Sequence, residues 1–214
     1  MTDLSIRIEG RAGRVTFTRP QALNALSYDM CKALDAALIA WRDDPAVALV
    51  VIDAEGDRAF CAGGDIAELY AEGIRGNHAY GQRFWRDEYR MNARIGAYPK
   101  PVVTFVQGFC MGGGVGVACH ASHRIVGETA QIALPECAIG LVPDVGGSAL
   151  LARAPGHLGA YLGRTGARMG PGDAIHAGFA DLFLPMQSWN LQIAELCKTG
   201  DLTSLQAAAC PAPE

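Results

Sequence analysis

Two apolar runs of strand length constrain this chain most. ALVVID (48–53) and PVVTFV (101–106) are apolar nearly throughout, without the alternation of a half-exposed strand. Strands of this kind are covered on both faces, and they belong to sheets flanked by helices. Each run leads into a glycine-rich turn, AFCAGGD (59–65) and FCMGGGVG (109–116), and each turn opens a helical pattern. Strand, turn and helix in succession call for crossover connections, right-handed by the chirality of L-residues. The fold class is therefore α/β.

The flanking segments agree. LSIRIEG (4–10) and GRVTFT (13–18) alternate apolar and polar residues and predict a β-hairpin. Ser27 is placed as an N-cap, and Met30, Leu34, Ala37, Leu38 and Trp41 then recur at helical spacing, so 28–43 is an amphipathic helix stopped by Pro45. Asp65 and Glu68 have the spacing of a capping box at the head of a further helix. A polar loop is expected over 73–80 and a helix over 84–95. Strands are expected at 123–128, 131–136 and 179–185, and helices over 145–154 and 171–178. One or two helices are expected in 188–209. The organisation expected is a core domain, 1–185, followed by the start of a C-terminal helical region, 186–214, that is cut short.

Bulk properties remove several functions. A net charge of −4 gives no support for nucleic acid or an anionic membrane as partner. The N-terminus lacks the basic and apolar regions of a signal peptide, and no apolar run is long enough to span a bilayer. Seven cysteines, odd in number and without CxxC, point to reduced thiols and a cytoplasmic setting. CHASH (119–123) gathers Cys119, His120 and His123, but no fourth ligand follows at a zinc spacing, so no metal is expected and the histidines are read as surface or supporting groups.

One stretch does not fit a plain core. LPECAIGLVPDVGG (134–147) places Glu136 and Asp144 in an apolar, glycine-rich run. An ionised carboxylate without a partner is costly there, so the acids are either paired structurally or needed by a site. The glycine turns offer a reason for a site. Backbone N–H groups at a helix start have no intrahelical acceptor, and glycine lets a ligand approach them. Two such turns side by side would aim two N–H groups at one oxygen, which is an oxyanion hole. Tight strand–helix packing explains either turn equally well by itself. GGGVG lacks the Lys-Ser/Thr of a phosphate loop and the spacing of a dinucleotide fingerprint.

Four stretches together, RPQALNAL (19–26), FCAGGDI (60–66), YPKPVVTFVQGFCMGGGVGVACH (98–120) and LPECAIGLVPDVGGS (134–148), resemble the crotonase (enoyl-CoA hydratase/isomerase) superfamily in order and spacing, over about residues 12–185. Within it the chain is most similar to the 3-hydroxyisobutyryl-CoA hydrolase subfamily. Asp144 lies eight residues after Glu136, and FWRDEYRMN (84–92) precedes the YPKP strand. Gly116 stands where true hydratases carry a second glutamate. The resemblance implies repeated ββα units, a spiral of two roughly perpendicular sheets surrounded by helices. It implies that Gly64 and Gly113 supply the oxyanion-hole N–H groups. Glu136 would be nucleophile or general base and Asp144 the second acid. Glu88 would contact substrate, although with Arg86 it also reads as a solvated helix face. Ala22, Leu23, Ala25 and Ala62 would line a coenzyme A channel. The implied partner is an acyl-CoA, with coenzyme A part of the substrate rather than a cofactor, and self-association into a homo-oligomer is expected. The implied activity is hydrolysis of a short β-hydroxyacyl-CoA, as in valine breakdown. Its rivals are enoyl-CoA hydration or isomerisation and CoA binding without turnover.

Overall fold

The computed structural model describes residues 3–213; Met1, Thr2 and Glu214, at the ends of the two expected spans, lie outside the described residues. The hairpin forms as expected, β1 (Leu4–Glu9) antiparallel to β2 (Ala12–Phe17). β2 pairs in parallel with β3 (Leu49–Ala54). The same sheet continues through β5 (Val102–Val106), β7 (His123–Val126) and β9 (Leu182–Phe183), in the order β1-β2-β3-β5-β7-β9. A second sheet runs β4 (Ala59–Cys61), β6 (Phe109–Met111), β8 (Gln131–Ala133), also in parallel. Strands thus leave the large sheet for the small one and return. Three units show it: β3-β4 followed by α2 (Ile66–Ile74), β5-β6 followed by α4 (Gly113–Ala118), and β7-β8 followed by α5 (Gly147–Arg153).

The large sheet explains the unbroken apolar runs. Val50 and Ile52 of β3 point into the main core, with α1 (Tyr28–Trp41) contributing Leu34 and Leu38. Leu49 and Val51 point the other way, into a second core with Val103 and Phe105. That second core is closed by α8 (Trp189–Thr199) and α9 (Thr203–Ala208), through Trp189, Ile193, Leu196 and Leu205. Successive residues of a strand face opposite sides, so a sheet covered twice needs apolar residues at every position. No helix among the described residues is long and apolar enough to cross a membrane.

Several elements differ from expectation. AFC and FCM, expected as parts of turns, are the strands β4 and β6; three residues are too few for alternation to show. The helix expected at 84–95 is α3 (His78–Gly96), which starts six residues earlier, inside the expected polar loop. Gly73, Gly76 and the polar residues around them disguised that first turn, and Gly81 follows within it. Gly81 faces α2, where a Cβ would lie 3.5 Å from Leu69 Cδ2, and packing there offsets its poor propensity. A helix with no sequence expectation, α6 (Leu158–Thr165), packs on α5 so closely that a Cβ on Gly159 would collide with the Leu151 carbonyl. The short helix expected near 171–178 is α7 (Pro171–His176). The capping box is half formed: Asp65 accepts from Glu68 N at 3.2 Å, but the Glu68 carboxylate reaches Tyr28 N rather than the Asp65 backbone.

Candidate active site

The first glycine turn is held by a single β-bridge. Leu26 N donates to Gly63 O at 2.8 Å, and Asp65 N donates to Leu26 O at 2.9 Å. A parallel bridge uses the groups on either side of Gly64, so Gly64's own N–H faces away from it. That opposite side is where the second turn lies. Gly113 begins α4, so its N–H has no intrahelical acceptor. A Cβ on Gly113 would stand 3.0 Å from Gly64 N, and one on Gly63 would stand 3.8 Å from Gly113 N. The two N–H groups are therefore neighbours. Gly114 sets the closeness of the turns, because a Cβ there would run into the Cys61 carbonyl. Gly112, at φ 48° and ψ −114°, adopts a backbone closed to other residues.

Carboxylates surround this pair. Glu136 was expected at a strand end; it instead opens a single 3₁₀ turn, Glu136–Ile139, beyond β8. Its side chain comes back against Gly112, where a Cβ would lie 2.8 Å from Glu136 Oε1. Glu88 enters from α3, and a Cβ on Gly113 would lie 2.6 Å from its Oε1. Glu88 is 2% exposed and Glu136 5%. The solvated-face alternative for Glu88 is thus overturned, while Arg86 beside it is exposed. Both Glu136 oxygens and Glu88 Oε1 lack a hydrogen-bond partner among the described residues. Burial pushes the Glu136 carboxyl up to about 7, with the Asp144 charge adding to it. Burial pushes Glu88 up to about 8, helped by the charges of Asp144 and Glu136. Asp144 accepts a 2.6 Å hydrogen bond from the Tyr89 hydroxyl.

These groups share one cavity of about 160 Å³. Ala62, Gly64, Gly113, Glu88, Glu136 and Asp144 all line it, and Ile66, Leu69, Trp85, Ile139 and Leu141 make its apolar wall. Ala22, Leu23 and Ala25 do not. They lie half-buried one hydrogen bond away, from Ala62 N to Leu23 O at 3.0 Å. Their loop is pinned by buried Asn24, which accepts from Arg19 N and donates to the Glu55 and Ala59 carbonyls. His120 and His123 have local partners, the Val145 carbonyl and the Ser122 hydroxyl.

Sequence reasoning passed over Asn24, Trp85, Tyr89 and Asn92. One signal was available. Phe84, Glu88, Met91, Asn92 and Ile95 form the buried stripe of α3, and two polar residues at i and i+4 on an apolar stripe mark a buried polar patch.

Two neighbouring backbone N–H groups, buried carboxylates and an apolar wall thus line one cavity, in a fold of two sheets surrounded by helices. The comparisons place the chain more closely. The family model described as "Enoyl-CoA hydratase/isomerase" matches residues 12–211, and the chain belongs to that family. The 3-hydroxyisobutyryl-CoA hydrolase, mitochondrial, of Xenopus tropicalis is 46% identical over 175 residues, covering 82% of this chain and 45% of that protein. A probable 3-hydroxyisobutyryl-CoA hydrolase of Arabidopsis thaliana is 40% identical over 186 residues, covering 87% and 49%. A solved enoyl-CoA hydratase from Rhodobacter sphaeroides is 64% identical with a TM-score of 0.93, covering all of this chain and 61% of its own. A carnitinyl-CoA dehydratase from Mycobacterium thermoresistibile is 41% identical with a TM-score of 0.96, covering all of this chain and 63% of its own. The chain spans about half the length of the curated relatives it matches.

Proposed function

We propose that the chain hydrolyses the thioester of a short β-hydroxyacyl-CoA, with 3-hydroxyisobutyryl-CoA as the first candidate and valine breakdown as its setting. One observation carries the reading. Glu136 is buried, unpartnered at both oxygens and set against the glycine turn. Charge building on the thioester oxygen would be held by the N–H groups of Gly64 and Gly113. Glu136 would attack the carbonyl carbon or take a proton from water that does; both routes need the same carboxylate in the same place. The carbon–sulfur bond then breaks and the thiolate leaves; on the direct route water hydrolyses the acyl–Glu136 anhydride, and on either route a proton from that water ends on the thiolate and the Glu136 carboxylate is restored, with Asp144 orienting the water or relaying its proton. A cavity of about 160 Å³ suits a small acyl group. Ala62, on the path toward Leu23, would face the pantetheine arm, with Ala22 and Ala25 further along it.

Enoyl-CoA hydration is the second reading, favoured by the 64% identity to a structure titled an enoyl-CoA hydratase. Against it, Gly116 leaves no room for a second glutamate. A Cβ there would stand 2.6 Å from Asn92 Nδ2 and 2.9 Å from Val145 Cβ. The deciding experiment measures thiol release from 3-hydroxyisobutyryl-CoA and water addition to crotonyl-CoA, each with the Glu136→Gln protein as control. Thiol release lost in the variant supports the hydrolase. Water addition without thiol release overturns it, and CoA binding with neither reaction identifies a non-catalytic relative.

A further inference from the structure

Asp144 sits on a backbone that has to be held. The next residue, Val145, has φ 48°, and Gly146 has φ 76°. A β-branched residue is an outlier in the left-handed region, and it persists there only when its surroundings over-determine it. Two contacts do so. The Val145 side chain is buried and packs on Gly116 of α4. His120, just past the end of that helix, places Nε2 at 2.7 Å from the Val145 carbonyl. A carbonyl only accepts, so Nε2 carries the hydrogen. The ring is fitted closely against Gly146, where a Cβ would lie 2.6 Å from Nε2. Burial lowers the pKa of His120 despite the bond to Val145, and Arg124 and Arg153 press the same way.

We propose that His120 is a positioning residue for Asp144: its hydrogen bond to the Val145 carbonyl holds the left-handed turn that aims the Asp144 carboxylate into the pocket. The inference rests on the role given to Asp144 under the proposed function. It also gives α4 two duties, since the helix presents Gly113 at its start and carries the clamp just beyond its end. The histidine of the CHASH cluster read from sequence as a surface or supporting group thereby acquires a task.

A double-mutant cycle tests it, run on whichever reaction the parent catalyses, thiol release or hydration. Kinetics are measured for the parent, His120→Phe, His120→Gln, Asp144→Asn and the His120→Phe/Asp144→Asn pair, with melting curves to confirm folding. Phe keeps the ring and loses the donor, whereas Gln restores an N–H. The expected result is a kcat lowered about tenfold or more by Phe, with KM nearly unchanged and partial recovery with Gln. In the Asp144→Asn background Phe is expected to cost less than about twofold further. An undiminished penalty in that background, while Asp144→Asn alone is slow, overturns the clamp and leaves the proposed function standing. An Asp144→Asn protein as fast as the parent overturns the clamp together with the role given to Asp144, and a parent inert in both assays overturns the proposed function as well. If the Phe variant does not fold, His120→Asn, whose donor is too short to reach the carbonyl, replaces it in the cycle.

Discussion

Two groups of acids in this protein differ in their partners. Outside the pocket, three acids drawn toward the interior each have an arginine. Asp53 lies 2.6 Å from Arg14, Asp65 2.7 Å from Arg19 and Asp35 2.7 Å from Arg94. Burial acts to raise the Asp65 carboxyl, yet the Arg19 guanidinium and the Glu68 backbone N–H outweigh it and hold the group below its usual range. Inside the pocket, Glu88 and Glu136 have no ion-pair partner among the described residues, and burial wins. A chain that neutralises its structural acids with arginine has left these two bare. A buried charge without a partner costs stability, a cost that the proposed function accounts for.

The contrast can be broken by substitution, and the largest effect belongs to Glu136. Glu136→Gln is expected to lower thioester hydrolysis about a thousandfold, without loss of melting temperature, because an unpaired buried carboxyl has been removed. A variant that melts earlier and keeps its turnover would reverse the assignment. Gly114→Ala comes next. The new methyl collides with the Cys61 carbonyl and drives the two turns apart, which should cost about a hundredfold in kcat through the lost oxyanion donor geometry. Measured binding of the unreacted thioester should change far less. On the structural side, Asp53→Asn is expected to lower unfolding free energy by about 2 kcal/mol in urea titrations and to leave kcat at the parental value. A drop in kcat with intact stability would mean that the two groups of acids are not separate.

The smallest effect sharpens the comparison through pH. Glu88 moves from an ordinary 4.5 to about 8 in the folded protein, so the folded state binds its proton more tightly. The stability from this group is full below about 4.5 and is lost as pH rises through about 8. The parent's melting temperature should therefore fall more steeply than that of Glu88→Gln between about pH 5 and pH 9. Parallel curves would show that Glu88 is not held protonated by burial.

Features that depend on neighbours along the chain are legible in the residues alone. The hairpin, α1 with its Ser27 cap, and the doubly covered strands β3 and β5 all announce themselves through periodicity or through unbroken apolar runs. The glycine turns and the Glu136/Asp144 spacing were also legible, since a strand-to-helix turn and an acid in an apolar run are local anomalies. Tertiary structure decided the rest. Glu88 could be read as solvated or as part of a site until α3 turned that face onto Gly113. The close packing of α6 depends on Gly159, which looks like a loop residue and is helical where α5 comes close. β4 and β6 are too short to carry a pattern and exist only because each finds a strand beside it. His120 found its acceptor across 25 residues of chain. The division is physical: propensity and periodicity act over one or two turns of chain, whereas close approach, burial and the partner of a polar group are set by which distant segments the fold brings together.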